Sequence, residues 1–189
     1  MPCRLWWIRH APTHAREMAG HRDIPADLSD TAALARLAAF LPDAPVTSSD
    51  LVRATATADA IAGARPRLPP DPGFRELDYG DWDGLHWTAI ASGWPDLSRA
   101  YWESPGDPAP PNGESWNAAA ARVSATADRH LGRPDLIIVA HMGAILTQLA
   151  RATCRTPAET LAQAIAPLSV TCLRHDGTRW HADLVNHRP

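Results

Sequence analysis

The chain has 189 residues, 45% hydrophobic and 21% charged, with a formal net charge of -3, which suits one soluble domain with a substantial core. That balance offers no basic excess for nucleic acid or an anionic membrane, and the apolar runs are too short to span a bilayer. All 18 basic residues are arginine, which excludes lysine-based phosphate loops and lysine Schiff-base chemistry.

Residues 4–8 read as a short buried strand, broken at once by Arg9 and His10. That interruption argues against a signal peptide, so a cytoplasmic location is expected. A loop rich in His, Pro and Asp fills 9–29. From Asp30, the spacing of Leu34, Leu37 and Leu41 predicts a helix that Pro42 ends. Residues 46–49 give a brief strand. Ser49 or Asp50 then caps a helix with Leu51, Ala54, Ala58 and Ile61 on one face, closed by Gly63.

Residues 65–74 form a proline-rich connection with an extended piece near Leu68. The acidic, aromatic stretch 75–87 is turn-rich, short helices follow over 86–103, and 104–113 is a Pro/Gly loop. Ser115 caps a helix with Trp116, Ala120, Val123 and Ala127 inward. "DLIIVA" (135–140) is the clearest strand, a continuous apolar run suited to a sheet covered on both faces. It leads into "HMGA" and a helix to about Arg151, then a short helix over 158–165. The end reads as a hairpin around an Asp176-Gly177 turn. Strands alternating with helices predict a three-layer α/β/α sandwich with a mainly parallel sheet and an antiparallel edge. The terminal hairpin is also free to pair with a second chain, a homodimer that nothing in the sequence requires. Cys3, Cys154 and Cys172 show no metal or disulfide spacing, and reduced thiols, mostly buried, are expected.

Two strands end in histidine, Ile8-Arg9-His10 and Ala140-His141. Open α/β sheets bind ligands beyond the carboxyl ends of their strands, so the two can meet. Arg53, in the first turns of the second helix, can face the same edge. Gly143 opens the helix after His141, where backbone N–H groups attract anions.

"RHAPT", "SSDLVRATATA", "RELDYGDWDG" and "VAHMGA" occur in this order. Together they resemble the histidine phosphatase superfamily, or phosphoglycerate-mutase-like family, over nearly the whole chain. "GDWDG" and "PPNGES" look most like its short bacterial branch, which includes α-ribazole phosphatases and broad-specificity phosphatases. The resemblance implies a phosphomonoesterase acting on a small phosphorylated metabolite, with no cofactor and no metal. His10 would be the nucleophile, forming a phosphohistidine; Arg9, Arg53 and His141 would surround the phosphoryl oxygens as positive donors. Glu76, before "YG", would be the acid, and burial among Trp82, Trp87 and Tyr79 would keep its proton in place. The segment 75–114 would roof the site.

The chain also departs from the pattern. Ala11 stands where the first motif usually has glycine, which is costly if φ there is positive. Arg16 stands at an offset where the mutase branch often has asparagine, which would alter substrate contacts. His21, on the first loop, and Glu114, in the "GES" segment, are further candidates for substrate binding. Against them, loop histidines are commonly solvated, and an acid before Ser115 can simply serve the helix N-terminus. Asp78, Asp81 and Asp83 are expected to solvate a turn. Most of the eight tryptophans are expected to pack an irregular segment, with an aromatic wall for a ring-bearing leaving group as the alternative. Two further functions stay open: mutase-type transfer, and a non-catalytic phosphate-binding module prompted by Ala11.

Overall fold

The computed structural model describes residues 2–189. Its centre is a five-stranded sheet in the order β2-β3-β1-β4-β5. β1 (Cys3–Arg9), β2 (Val46–Ser48) and β3 (Asp135–Ala140) run parallel, while β4 (Val170–His175) and β5 (Trp180–His187) form the antiparallel edge. Alternation along β1 and β3 feeds two cores. Leu5, Trp7, Leu136 and Ile138 face one side of the sheet; Ile8, Ile137 and Val139 face the other. Every one of these residues is fully buried, so β3 is apolar throughout because helices cover both faces.

One face carries α1 (Thr31–Phe40) and α2 (Val52–Ala62). The other carries α5 (Trp116–Asp128) and α6 (Met142–Thr153), together with much of the segment 75–114. That segment contains α3 (Trp87–Gly93) and α4 (Pro95–Glu103). The predicted sandwich and its antiparallel edge are therefore the observed architecture. Among the described residues, no helix is long and apolar enough to cross a membrane.

Several local expectations shift. The Asp30 cap forms, accepting from Ala33 N–H, as does the Ser115 cap, accepting from Ala118 N–H. The cap position of α2 is Leu51, whose side chain cannot accept. Asp23, from the first loop, instead takes the Val52 N–H at 2.6 Å. Asp50 is withdrawn into a two-pronged pair with Arg75 at 2.7 and 2.6 Å. On α5, Ala119 rather than Ala120 is buried beside Val123. The helix expected over 158–165 is α7 (Pro157–Leu161), started by a Thr156/Glu159 capping box. It stops early, and the Ile165 carbonyl goes to Arg9 instead of to a helical N–H. Cys3 and Cys172 are buried as expected, whereas Cys154 is exposed and all three are free.

Candidate active site

The register of the sheet assembles the first part of the site. Arg9 lies opposite Ala140 in the parallel β1/β3 pair, and His10 N–H extends the ladder to the Ala140 carbonyl at 3.0 Å. The next residues, His10 and His141, therefore emerge side by side, with ring centroids 5.1 Å apart. This is the strand-end edge where open α/β sheets bind ligands.

His10 is 7% exposed. Its Nδ1 lies 2.7 Å from the Ala11 carbonyl. A carbonyl can only accept, so the proton sits on Nδ1 and Nε2 carries a lone pair. Burial, reinforced by Arg53 and Arg9 against the opposing bond to Ala11, pulls its pKa down to about 3. The ring is neutral at physiological pH.

Ala11 is fully buried and its φ is not positive, so the methyl group in place of the family's glycine costs no backbone strain. Its N–H is accepted by Thr57 Oγ1 at 3.0 Å, and that hydroxyl donates to the Arg53 carbonyl at 2.7 Å. One α2 hydroxyl thus ties the loop after His10 to the helix that carries Arg53.

Arg53 is 1% exposed, yet its partners are not carboxylates. Nε donates to His141 Nδ1 at 3.2 Å, Nη1 to the Arg22 carbonyl at 2.8 Å, and Nη2 to the Gly20 carbonyl at 2.6 Å. Because Arg53 donates to Nδ1, the His141 proton is on Nε2. That Nε2–H is buried with no partner among the described residues. Burial, with His10 and Arg53 adding to it, holds His141 well below the usual histidine range. His141 is therefore a neutral donor and not the positive one expected from sequence. Arg9 donates through Nη1 to the Ile165 carbonyl at 2.7 Å, and its buried Nε has no partner among the described residues.

Glu76 reaches the site from the segment above the sheet. It is 6% exposed. Oε1 accepts from the N–H groups of Leu77 and Ala144 at 3.0 and 3.1 Å, and Oε2 accepts from Gly143 N–H at 3.1 Å. The carboxyl thus caps the start of α6, where N–H groups lack helical partners. A Cβ on Gly143 would lie 2.5 Å from Glu76 Oε1, so glycine there makes room for this approach. The aromatic cage expected around Glu76 is incomplete: Trp87 is 65% exposed.

Arg9, His10, Arg53 and Glu76 line one cavity of about 200 Å³. His141, fully buried beside His10, is not part of the lining, and three other sequence candidates sit elsewhere. Arg16 is exposed on the loop and does not line the cavity. His21 Nε2 lies 2.9 Å from the Glu76 carbonyl, behind the carboxyl and off the cavity wall. Glu114 forms an ion pair with Arg122 and accepts from Asp78 N–H at 3.0 Å. Its reading as a substrate contact gives way to a structural one: it braces the strip that carries Glu76.

The sequence reading missed Arg122 and Asp83. Arg122 donates to the carbonyls of Gly73, Arg75 and Glu76 at 3.0–3.1 Å. Asp83, expected in a solvated turn, accepts from Gly20 N–H and Arg22 N–H at 3.0 and 2.8 Å. It thereby fixes the two residues whose carbonyls hold Arg53. Nothing local in the sequence marks either residue for this role. Among the described residues, no group of three or more His, Cys, Asp or Glu converges in a metal-binding arrangement.

Comparison with known proteins agrees with this geometry. No curated sequence matches significantly. Among solved structures, the chain resembles YhfR of Bacillus stearothermophilus (25% identity, TM-score 0.86, covering 98% of this chain and 97% of that one). It also resembles a mycobacterial glucosyl-3-phosphoglycerate phosphatase (26% identity, TM-score 0.83, covering 98% and 99%). An α-ribazole phosphatase from Shigella flexneri shares the fold (22% identity, TM-score 0.82, covering 98% and 96%). The family model for the histidine phosphatase superfamily (branch 1) matches residues 5–188; with that span and this fold, the chain belongs to the histidine phosphatase superfamily and is a phosphoric monoester hydrolase.

Proposed function

We propose that the protein hydrolyses a small phosphate monoester in two steps through a phosphohistidine on His10. The observation that carries this reading is the His10 ring, neutral and fixed in the tautomer that leaves Nε2 free as a nucleophile. In the first step the Nε2 lone pair attacks phosphorus in line. The P–N bond forms as the P–O bond to the leaving alcohol breaks, and Glu76 passes a proton to that oxygen. In the second step water attacks the phosphoryl group and gives its proton to Glu76. The P–N bond breaks, its electron pair returns to Nε2, and inorganic phosphate leaves.

Arg9, Arg53 and the His141 Nε2–H stabilise the charge that spreads over the phosphoryl oxygens. The buried, unpartnered donors of Arg9 and His141 support this, since an orphaned buried donor is costly until an acceptor arrives. Glu76 is held as an acceptor by three N–H groups, which suits its base role in the second step. A phosphate ester monoanion carries a proton, which Glu76 takes up and hands to the leaving oxygen in the first step; after the second step Glu76 holds the proton from water and can pass it on in the next turnover. The scheme calls for no metal.

Acid-quenched trapping with an aryl phosphate tests the proposal. An acid-labile, base-stable phosphoenzyme is expected in the wild type and absent in His10→Ala. Wild type that turns over without a His10-dependent label sinks the mechanism. Steady release of inorganic phosphate, with no isomerised phosphoglycerate, separates hydrolysis from mutase-type transfer.

A further inference from the structure

We propose that Glu17 is a specificity-determining residue of this site, and that the preferred substrate is a phosphate monoester whose alcohol carries a positive charge, such as an amino alcohol. The proposal rests on the phosphatase reading above and adds the charge of the group that departs.

Charge in the phosphate cavity is layered. The positive groups lie at its inner end: Arg53 is buried, Arg9 is half-buried, and both line the cavity beside the buried His10. A phosphoryl group is drawn to that end. In-line attack by His10 puts the leaving oxygen on the far side of phosphorus, so the alcohol extends outward.

The outer end has the opposite sign. Glu17 is exposed and lines the same cavity. Glu17 has no ion-pair partner among the described residues. Arg9 and Arg53 are turned to the carbonyls of Ile165, Gly20 and Arg22. The exposed Arg16, next in sequence, is off the cavity wall. The other carboxylate of the wall, Glu76, is answered by the N–H groups of Leu77, Gly143 and Ala144. Glu17 is the acid of this wall that no cation of the chain answers.

Such a carboxylate works against phosphate binding unless the substrate uses it. A cavity of about 200 Å³ is comparable in width to the screening length of roughly 8 Å in physiological salt, so Glu17 repels a bound phosphoryl group. A neutral alcohol leaves that repulsion standing, and an alcohol bearing a carboxylate adds a second one. An ammonium on the alcohol turns the same charge into attraction. The substrate is then a dipole matched to the cavity, negative end inward and positive end outward. Because Glu17 is exposed, the gain is limited to about two- to fivefold.

The test compares 3-aminopropyl, propyl and 3-carboxypropyl phosphate, whose leaving oxygens are similar in basicity, at neutral pH and low ionic strength. We expect kcat/KM to fall in that order, with the aminopropyl ester about threefold above propyl, and 0.5 M salt, on the order of a 4 Å screening length, to remove most of the gap. Glu17→Gln should raise use of the propyl ester and lower the aminopropyl-to-propyl ratio by about threefold, a comparison in which intrinsic reactivity cancels. Glu17→Lys should reverse the order of the charged esters. Equal use of the aminopropyl and propyl esters by the wild type overturns the assignment while leaving the phosphatase reading intact. So does a preference that Glu17→Gln leaves unchanged, or a 3-hydroxypropyl ester used as well as the aminopropyl one. Turnover of none of the esters, with no phosphohistidine, is the failure of that reading instead. The charge assignment is then read by calorimetric affinities for 3-aminopropylphosphonate against propylphosphonate: a preference that Glu17→Gln removes upholds it, and equal affinities overturn it.

Discussion

The two sides of the phosphate cavity are held in place by different means. Arg9 ends β1 and His10 follows it, their height fixed by pairing with β3 and by bonds between the Arg9 backbone and Leu168 and Ser169 just before β4. Glu76 stands on irregular chain and is held by groups distant in sequence: amides of α6, Arg122 of α5 and His21 of the first loop. One side is placed by a repeating lattice and the other by a handful of individual polar bonds. The lattice tolerates side-chain change at the site because its bonds are made by backbone. The other side has no such reserve, so single substitutions far from the substrate should reach it.

The largest effect tests the lattice side. His10→Ala should lower turnover by about 10⁴-fold or more, while thermal melting stays cooperative and near the wild-type midpoint. A variant that also fails to fold would mean that the strand end depends on its side chain. Next comes Gly143→Ala on the other side. Its methyl group would press on Glu76 Oε1 and Leu77 Cδ1, and turnover should fall by about 10- to 100-fold with little loss of phosphate affinity. An unchanged rate would show that the Glu76 carboxyl can move aside at no cost.

Arg122→Met removes three bonds to the strip 73–76 without touching the cavity wall. Turnover of ethyl phosphate should fall by roughly tenfold. Phosphoenzyme formation from 4-nitrophenyl phosphate should fall much less, because that leaving group needs no proton. Equal losses on both substrates would mean that Arg122 acts beyond Glu76.

The lattice side carries a pH signature. Folding holds His10 at about 3 and His141 well below 6.5, so between these values and 6.5 the unfolded chain binds more protons. Their contribution to stability is complete above about pH 6.5 and declines as pH falls toward about 3. The melting midpoint should drop by several degrees between pH 7 and pH 4.5, and the drop should shrink in a His10→Asn variant. The smallest effect is expected at Ala11. With φ not positive there, Ala11→Gly should change turnover by less than about twofold and cost about 0.5–1 kcal/mol in stability through the unfolded chain.

The same division decides what could be read from sequence. Strands β1 and β3 were legible from continuous apolar runs, and their shared R-H and A-H endings brought His10 and His141 to one edge. Helix faces were legible from spacing, as at Leu34 and Leu37. The brace around Glu76 was not, because a bond from Arg122 to three carbonyls leaves no periodic trace. Glu114 and His21 were noticed for their residue type but assigned to substrate, since nothing local shows that Arg122 and the Glu76 carbonyl already occupy them. Asp83 read as a solvated turn because its partners, Gly20 and Arg22, lie in another loop.

Arg53 combines two tasks in one planar group. The guanidinium that lines the phosphate cavity also spans the Gly20 and Arg22 carbonyls and the His141 ring. Under the proposed mechanism, anion capture and loop anchoring are thus one variable, not two. An ammonium at this position would keep the charge but could not meet three directions in a plane. A lysine here would preserve attraction while releasing the loop, so arginine is the residue this position needs.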